Sequence, residues 1–359
     1  MNCLEPSLTK KEFKVSNFLS RFSSINKFFI KFLFILSIFF NVSSLSAMRL
    51  DPGSDEVKLS DKRIKVEEYE RSLKERMTGF FKNKQPPCLA IVYCSDVVDI
   101  EKWVCFKEDT LRYCGMACSK IGLQEPTKED FISSIRQQNT APQVTGIMVM
   151  FPLPDSLVLY KDEIINTIDP SKDVECVTAV NLEKLSTPKA VVYPHQVESF
   201  FRIMTTLGKI DLRSLRKILV VAGSEPTEDL LFVEPLMKRF EQEMLKDKVV
   251  AYRCLPGSLE YGSAAIQQMV DADMVITACG SKKDGFIKAE HVKEAVIFVD
   301  RGFPKQDFVY TSELLQKAKA FVSKIGGVLY LSKIMTCVNL AYLWGQQRDC
   351  LYTVKQALA

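Results

Sequence analysis

Short apolar runs recur along this chain, and between them the hydrophobic spacing changes to that of a helix. The runs are "CLAIVYCS" (88–95), "VTGIMVMF" (144–151), "RKILVVAG" (216–223), "DKVVAYRCL" (247–255), "MVITACG" (274–280) and "AVIFVDRGF" (295–303). The first two read as buried strands and the rest as strands, and strands alternating with helices form parallel sheets. The intervening segments supply the helices. From Lys58 to Lys82 the apolar positions are Ile64, Val66, Tyr69, Leu73, Met77 and Phe80. "WVCFKEDTLRYCGM" (103–116) reads as a second helix. "TKEDFISSIRQQN" (127–139) reads as a third, with Thr127 at the N-cap and Asp130 three residues on. Helices are also predicted from Leu230 to Leu245 and over "YGSAAIQQMVDAD" (261–273).

A chain of 359 residues exceeds one ordinary core. The rhythm predicts an α/β protein of two domains. The N-terminal one opens strand, helix, helix, strand. The second, with four strands separated by helices, reads as a Rossmann-like, doubly wound nucleotide-binding domain. The fingerprint G-x-G-x-x-G is absent, because Gly223 stands alone before "SEPTEDLL". The default site is the cleft between the domains. The expected boundaries are a leader over 1–47, the first domain over 48–190, the nucleotide domain over 191–325, and a C-terminal helix over 326–359 returning to the first domain.

The leader is read from "FFIKFLFILSIFF" (28–40) followed by the small residues "NVSSLSA". The apolar run is short for a spanning helix, which needs about 20 residues. Residues 1–47 are expected to be a targeting leader or membrane anchor, touching a membrane through 28–43. Localisation is left open between organelle targeting, membrane insertion and, with translation from Met48, the cytoplasm.

Net charge is +4, and Lys10, Lys11, Lys14, Arg21, Lys27 and Lys31 carry much of the excess. The remainder is near neutral, which argues against a nucleic-acid partner. The 11 cysteines are scattered and form no C-x-x-C pair, as expected of buried free thiols in a reducing compartment. Only two histidines occur, His195 and His291, so neither a His/Cys zinc site nor a Ser-His-Asp triad is expected.

Four stretches together resemble the bifunctional methylenetetrahydrofolate dehydrogenase/cyclohydrolase family, as a divergent member. "PCLAIVYCSDVVDIEKWVCFK" (87–107) is similar to P-x-L-A-V-I-L-V-G-D-x-x-A-S-x-x-Y-V-x-x-K. "GIMVMFPLP" (146–154) resembles G-I-L-V-Q-L-P-L-P. "IDPSKDVECVTAVN" (168–181) resembles I-x-P-x-K-D-V-D-G-x-x-x-x-N. "ADMVITACGSKKDGFIKAEHVKEAVIFVDRG" (272–302) is similar to the family's A-D-I-V…V-I-D-V-G segment. Each stretch alone is a weak signal; the shared spacing makes it specific.

The resemblance implies a folate-binding catalytic domain followed by an NAD(P)-binding one. The reaction it implies is hydride transfer from methylenetetrahydrofolate to NADP, or NAD, then hydrolysis of the methenyl product. It places Lys107 at the catalytic lysine. A free lysine titrates at about 10.4, and burial in a cleft would lower that toward acid/base work. Without the motif, Lys107 reads as a solvated helix lysine beside Lys102, Glu108 and Asp109. Glu175 takes the place of the carboxylate that meets the pterin ring, and Asp173 is expected to brace the loop. Pro152 and Pro154 carry the chain rigidly out of its strand. Trp103, Met150, Pro152, Glu175, Gly326 and Gly327 are the expected substrate contacts. Gly223, Ser224 and Gly280 are the expected cofactor contacts. No metal is expected, and the family's habit implies a homodimer.

The sequence departs from the pattern at named positions. Trp103 replaces a tyrosine, and Met150 replaces the glutamine that pairs with the lysine. "AGSEPTED" (222–229) lacks the arginine of G-R-S-x-I-V-G-x-P, and "IGGVLYLS" (325–332) keeps only Gly326, Gly327 and Val328 of its motif. Three readings follow: an active folate enzyme; a relative that kept the two-domain shell as a binding or assembly protein; or a generic two-domain dehydrogenase, against which the poor glycine fingerprint counts.

Overall fold

The apolar runs align as two parallel sheets in the computed structural model. It describes residues 61–223, 229–253, 263–279, 285–301, 306–323 and 327–359. All of these belong to one unit, 57–359. The leader lies outside the described residues, as do Ser224, Gly280 and Gly326.

The first sheet has strands β1 (Cys88–Cys94), β2 (Ala117–Leu123) and β3 (Gly146–Val149), in the order β2-β1-β3. Leu89 pairs with both Cys118 and Gly146, which sets the register. Alternate side chains of β1 serve two cores. Leu89, Ile91 and Tyr93 join the main cluster, and Ala90, Val92 and Cys94 join a second one with Phe131, Ile135 and Ile147. That is the period-two signature of a strand buried on both faces. β2 has no counterpart among the predicted strands. Its sequence "ACSKIGL" is half-polar because it is an edge strand, and Lys120 reaches Glu108 at 2.7 Å.

The helices of this lobe are α1 (Glu67–Phe81), α2 (Ile100–Tyr113), α3 (Lys128–Thr140), α4 (Lys161–Asn166) and α5 (Ala179–Lys184). The helix predicted from Lys58 starts only at Glu67. Before it, the Ile64 amide donates to the Phe321 carbonyl at 3.0 Å, and Arg63 bridges Phe321. The N-cap of α3 is as predicted. Thr127 accepts from the Asp130 amide, and Asp130 accepts from the Thr127 amide at 2.8 Å.

The second sheet has five described strands: β4 (Ile218–Ala222), β5 (Val249–Arg253), β6 (Met274–Ala278), β7 (Val296–Asp300) and β8 (Ala318–Val322). Their order is β5-β4-β6-β7-β8, all parallel. Four strands were expected. β8, "AKAFV", escapes pattern reading because it is short and follows helix α9 (Ser312–Lys317) without a break. The other helices here are α6 (His195–Phe201), α7 (Glu234–Gln242) and α8 (Ser263–Met269). The expected helix from Leu230 is divided: residues 229–233 are wound more widely, and α7 follows.

Helix α10 (Val328–Gln346) ties the lobes together, and α11 (Leu351–Leu358) ends the chain. α10 packs against α1, α2 and α6. The Trp344 indole donates to the Gln85 carbonyl at 3.1 Å, and the Gln347 amide donates to the Thr145 carbonyl at 3.0 Å. Among the described residues no helix is long and apolar enough to cross a membrane. The described cysteines are all free. Cys94 and Cys279 are buried as expected, but Cys88 is half-buried and Cys105 is exposed, because it lies on the outer face of α2.

Candidate active site

Helix α2 buries Ile100, Val104 and Leu111, spaced to form one stripe against the core. Trp103 and Lys107 are four residues apart and share the neighbouring face. Lys107 is half-buried and makes no hydrogen bond or ion pair among the described residues, while Trp103 is 45% exposed.

The segment "KDVE" returns to the sheet beside β3. The Ile147 amide donates to the Lys172 carbonyl at 2.7 Å, and Ile147 bridges Asp173. Each residue then has a separate task. Lys172 Nζ donates to the carbonyls of Gln138 (3.1 Å) and Ala141 (2.9 Å), closing the C-terminus of α3. Asp173 accepts from the amides of Val177 and Thr178, the Thr178 hydroxyl and the Asn181 amide group. It braces the loop, as predicted. Val174 enters the core. Glu175 is left to face the seam between the lobes, buried. Cys176 follows at φ +56°, a left-handed conformation at the glycine position of the family motif.

Across the seam stands His195, the first residue of α6. Its Nδ1 lies 3.2 Å from Glu175 Oε1, without the angle of a formed hydrogen bond. Arg301, just past β7, is 2% exposed. It donates to the Gln196 side-chain oxygen and stacks over Phe232 at 4.3 Å. Burial raises the Glu175 pKa to about 7; the charge of Lys107 pulls it down and that of Asp173 pushes it up. Burial holds His195 well below the usual imidazole range, and the charges of Lys107 and Arg301 act in the same direction. Lys107, Glu175, His195 and Arg301 therefore form one electrostatic cluster fed by both lobes.

Asn339 of α10 makes that meeting exact in position. Its amide nitrogen donates to the carbonyls of Val174 (3.0 Å) and Tyr193 (2.7 Å), the neighbours of Glu175 and His195. It is 1% exposed.

The other predicted site residues are placed elsewhere. Pro152, whose peptide bond with Phe151 is cis, lines a cavity of about 580 Å³ with Asp96, Val97, Glu125 and Pro154, which does not include Lys107 or Glu175. Met150 packs against the main core, so its apolar side chain is used for packing. Gly327 precedes α10, where a Cβ would meet the Ser323 carbonyl oxygen at 2.3 Å. Gly223 ends β4 at the point where the strand order reverses. A Cβ there would meet the Cys279 carbonyl oxygen at 2.3 Å, so only glycine lets the two strand ends close up. In doubly wound sheets this reversal is where nucleotides bind. Arg253, exposed, ends β5 opposite Ala222, a placement that suits a cofactor phosphate on the adenosine ribose.

Sequence reasoning missed His195, Arg301 and Asn339. Only "YPHQ" carried a signal: a histidine straight after a proline that opens a helix.

A three-stranded parallel lobe carrying a lysine-bearing helix, joined to a doubly wound lobe across a polar seam, defines a two-lobed α/β protein of the dehydrogenase type. Residues 61–175 match the family described as tetrahydrofolate dehydrogenase/cyclohydrolase, catalytic domain. The bifunctional protein FolD 1 of Hydrogenovibrio crunogenus is 27% identical over 262 residues, covering 69% of this chain and 81% of its own. The bifunctional protein FolD of Staphylococcus saprophyticus is 24% identical over 284 residues, covering 76% and 91%. Among solved structures, the Campylobacter jejuni FolD methylenetetrahydrofolate dehydrogenase/cyclohydrolase has a TM-score of 0.66 at 22% identity, over 80% of this chain and 99% of that one. The Trypanosoma brucei enzyme, solved with NADP and an inhibitor, has a TM-score of 0.67 at 17% identity, over 79% and 97%. Residues 61–175 thus carry the catalytic-domain pattern of that family, and the chain over most of its length is similar to the bifunctional FolD proteins.

Proposed function

We propose that this chain is a methylenetetrahydrofolate dehydrogenase of one-carbon folate metabolism, using NADP or NAD, with methenyltetrahydrofolate cyclohydrolase activity as its second step. One observation carries the reading. Glu175 and His195 meet at 3.2 Å at the seam between the lobes, and the charge of Lys107, distant in sequence, reaches both. The relatives' names support it, and the solved relatives include an enzyme with NADP and an NAD-dependent one from Saccharomyces cerevisiae.

The nicotinamide cofactor accepts the hydride when bound, and that chemistry is its own. Gly223 and Arg253 are the described residues that would hold it. The rest falls to this chain's side chains. Glu175 meets the ring edge of the folate. Trp103, one turn before Lys107, offers an indole face for stacking. Lys107 places a positive charge and a proton beside the one-carbon bridge. Burial of Glu175 and His195 keeps bulk water from competing for these contacts.

Met150 favours a second reading. Packed against the core, it supplies none of the hydrogen bonds a glutamine would, so a binding or assembly protein on the same shell is the alternative. Turnover decides between them. The chain is supplied with methylenetetrahydrofolate and either cofactor, and the methenyl product is followed by absorbance. Product with at least one cofactor is expected; a folded protein with no turnover would leave the binding reading. The resemblance further supports a homodimer, and residues 28–43 support membrane contact. Light scattering and membrane flotation of the chain test these two points.

A further inference from the structure

Glu175 is buried at the seam, 5% exposed, so the side chains around it are the first candidates to exchange its proton. The neighbours can be taken in turn. Asp173 already accepts four hydrogen bonds from the loop it braces. Lys107 and Arg301 contribute positive charge and accept nothing. On α10, which packs against α6, the facing polar group is Asn339, uncharged and committed to two carbonyls. On α6, Glu198 pairs at 2.7 Å with Arg202 just past the helix, and Arg202 also donates to Tyr69 and Tyr342. What remains is His195 Nδ1, 3.2 Å from Glu175 Oε1, buried and without a formed hydrogen bond among the described residues.

We propose that His195 is the proton partner of Glu175, and that the pair holds one proton which moves from Glu175 Oε1 to His195 Nδ1 when the N–H edge of a reduced pterin engages the carboxyl group. This rests on the folate reading above and names the group that sets the charge its ring meets. The step balances within the pair: the Oε1–H bond breaks, the Nδ1–H bond forms, and a carboxylate and an imidazolium replace two neutral groups. Lys107 and Arg301 oppose the imidazolium; the new carboxylate beside it offsets them. His195 thereby acts as a positioning residue, through Glu175.

With two histidines in the chain, the test is spectroscopic. The ¹⁵N signals of both rings are recorded in the full chain at pH 6.5, with His291→Gln assigning them, before and after tetrahydrofolate. The expected result is a His195 ring that is neutral in the free chain and an imidazolium when the ligand is bound. In Glu175→Gln, which has no proton to give, the ring stays neutral. A ring that remains neutral in the wild type while tetrahydrofolate quenches the tryptophan fluorescence overturns the proposal and leaves the folate reading standing. An imidazolium forming equally in Glu175→Gln overturns it too. Failure of the wild type to bind tetrahydrofolate at all overturns the folate reading, and this inference with it.

Discussion

Glu175 and His195 approach to 3.2 Å although one sits on a loop of the first lobe and the other opens a helix against the second. Both are buried, and the consequence is a pH-dependent stability. Burial raises the Glu175 pKa from 4.5 to about 7. A carboxyl raised in the folded state favours folding most below its unfolded pKa, and that contribution is lost as pH rises through the folded one. The loss therefore runs from about pH 4.5 to 7 and is on the order of 3 kcal/mol, at 1.36 kcal/mol per unit. Glu175→Gln removes it. Between pH 5 and pH 8 the wild-type urea midpoint should fall relative to the variant's, since His195 and Asp307 titrate alike in both. A wild-type midpoint that rises over that interval by the same amount as the variant's would contradict the assignment.

Asn339 holds the two approaching segments by their carbonyls. Asn339→Leu keeps the volume and leaves both oxygens unsatisfied, at a cost of about 2–4 kcal/mol. Folate affinity should fall with stability, because Glu175 and His195 are no longer fixed relative to one another. A fully stable variant with unchanged affinity would show that α10 does not position the site.

Arg253 at the end of β5 stands where an adenosine ribose phosphate would be met. Arg253→Ser should raise KM for NADP about tenfold or more and leave KM for NAD within about twofold, as expected for one lost charge-assisted contact. Equal effects on both cofactors would remove Arg253 from phosphate recognition.

Much of the fold was legible because both-face burial writes itself as continuous apolar runs. β1, β3, β4, β6 and β7 are of this kind. β2 was not legible, because an edge strand needs only one buried face and its polar residues mask the pattern. The site was legible where spacing within one element decides it. Trp103 and Lys107 share a face of α2, and Asp173 braces its own loop as expected. His195, Arg301 and Asn339 were not, since their meaning comes from contacts between separate elements and no local period records those. Met150 shows the reverse: a family contact position turned to packing, visible only once its neighbours are known.

The central claim is that Lys107 performs chemistry at a folate held by Glu175. Single-turnover conversion of methylenetetrahydrofolate by Lys107→Met, alongside its tetrahydrofolate affinity, tests this most directly. A rate reduced by about 100-fold or more is expected with affinity within about threefold of wild type, the mark of a group that acts in the transition state. A Lys107→Met protein that turns over at the wild-type rate would contradict it.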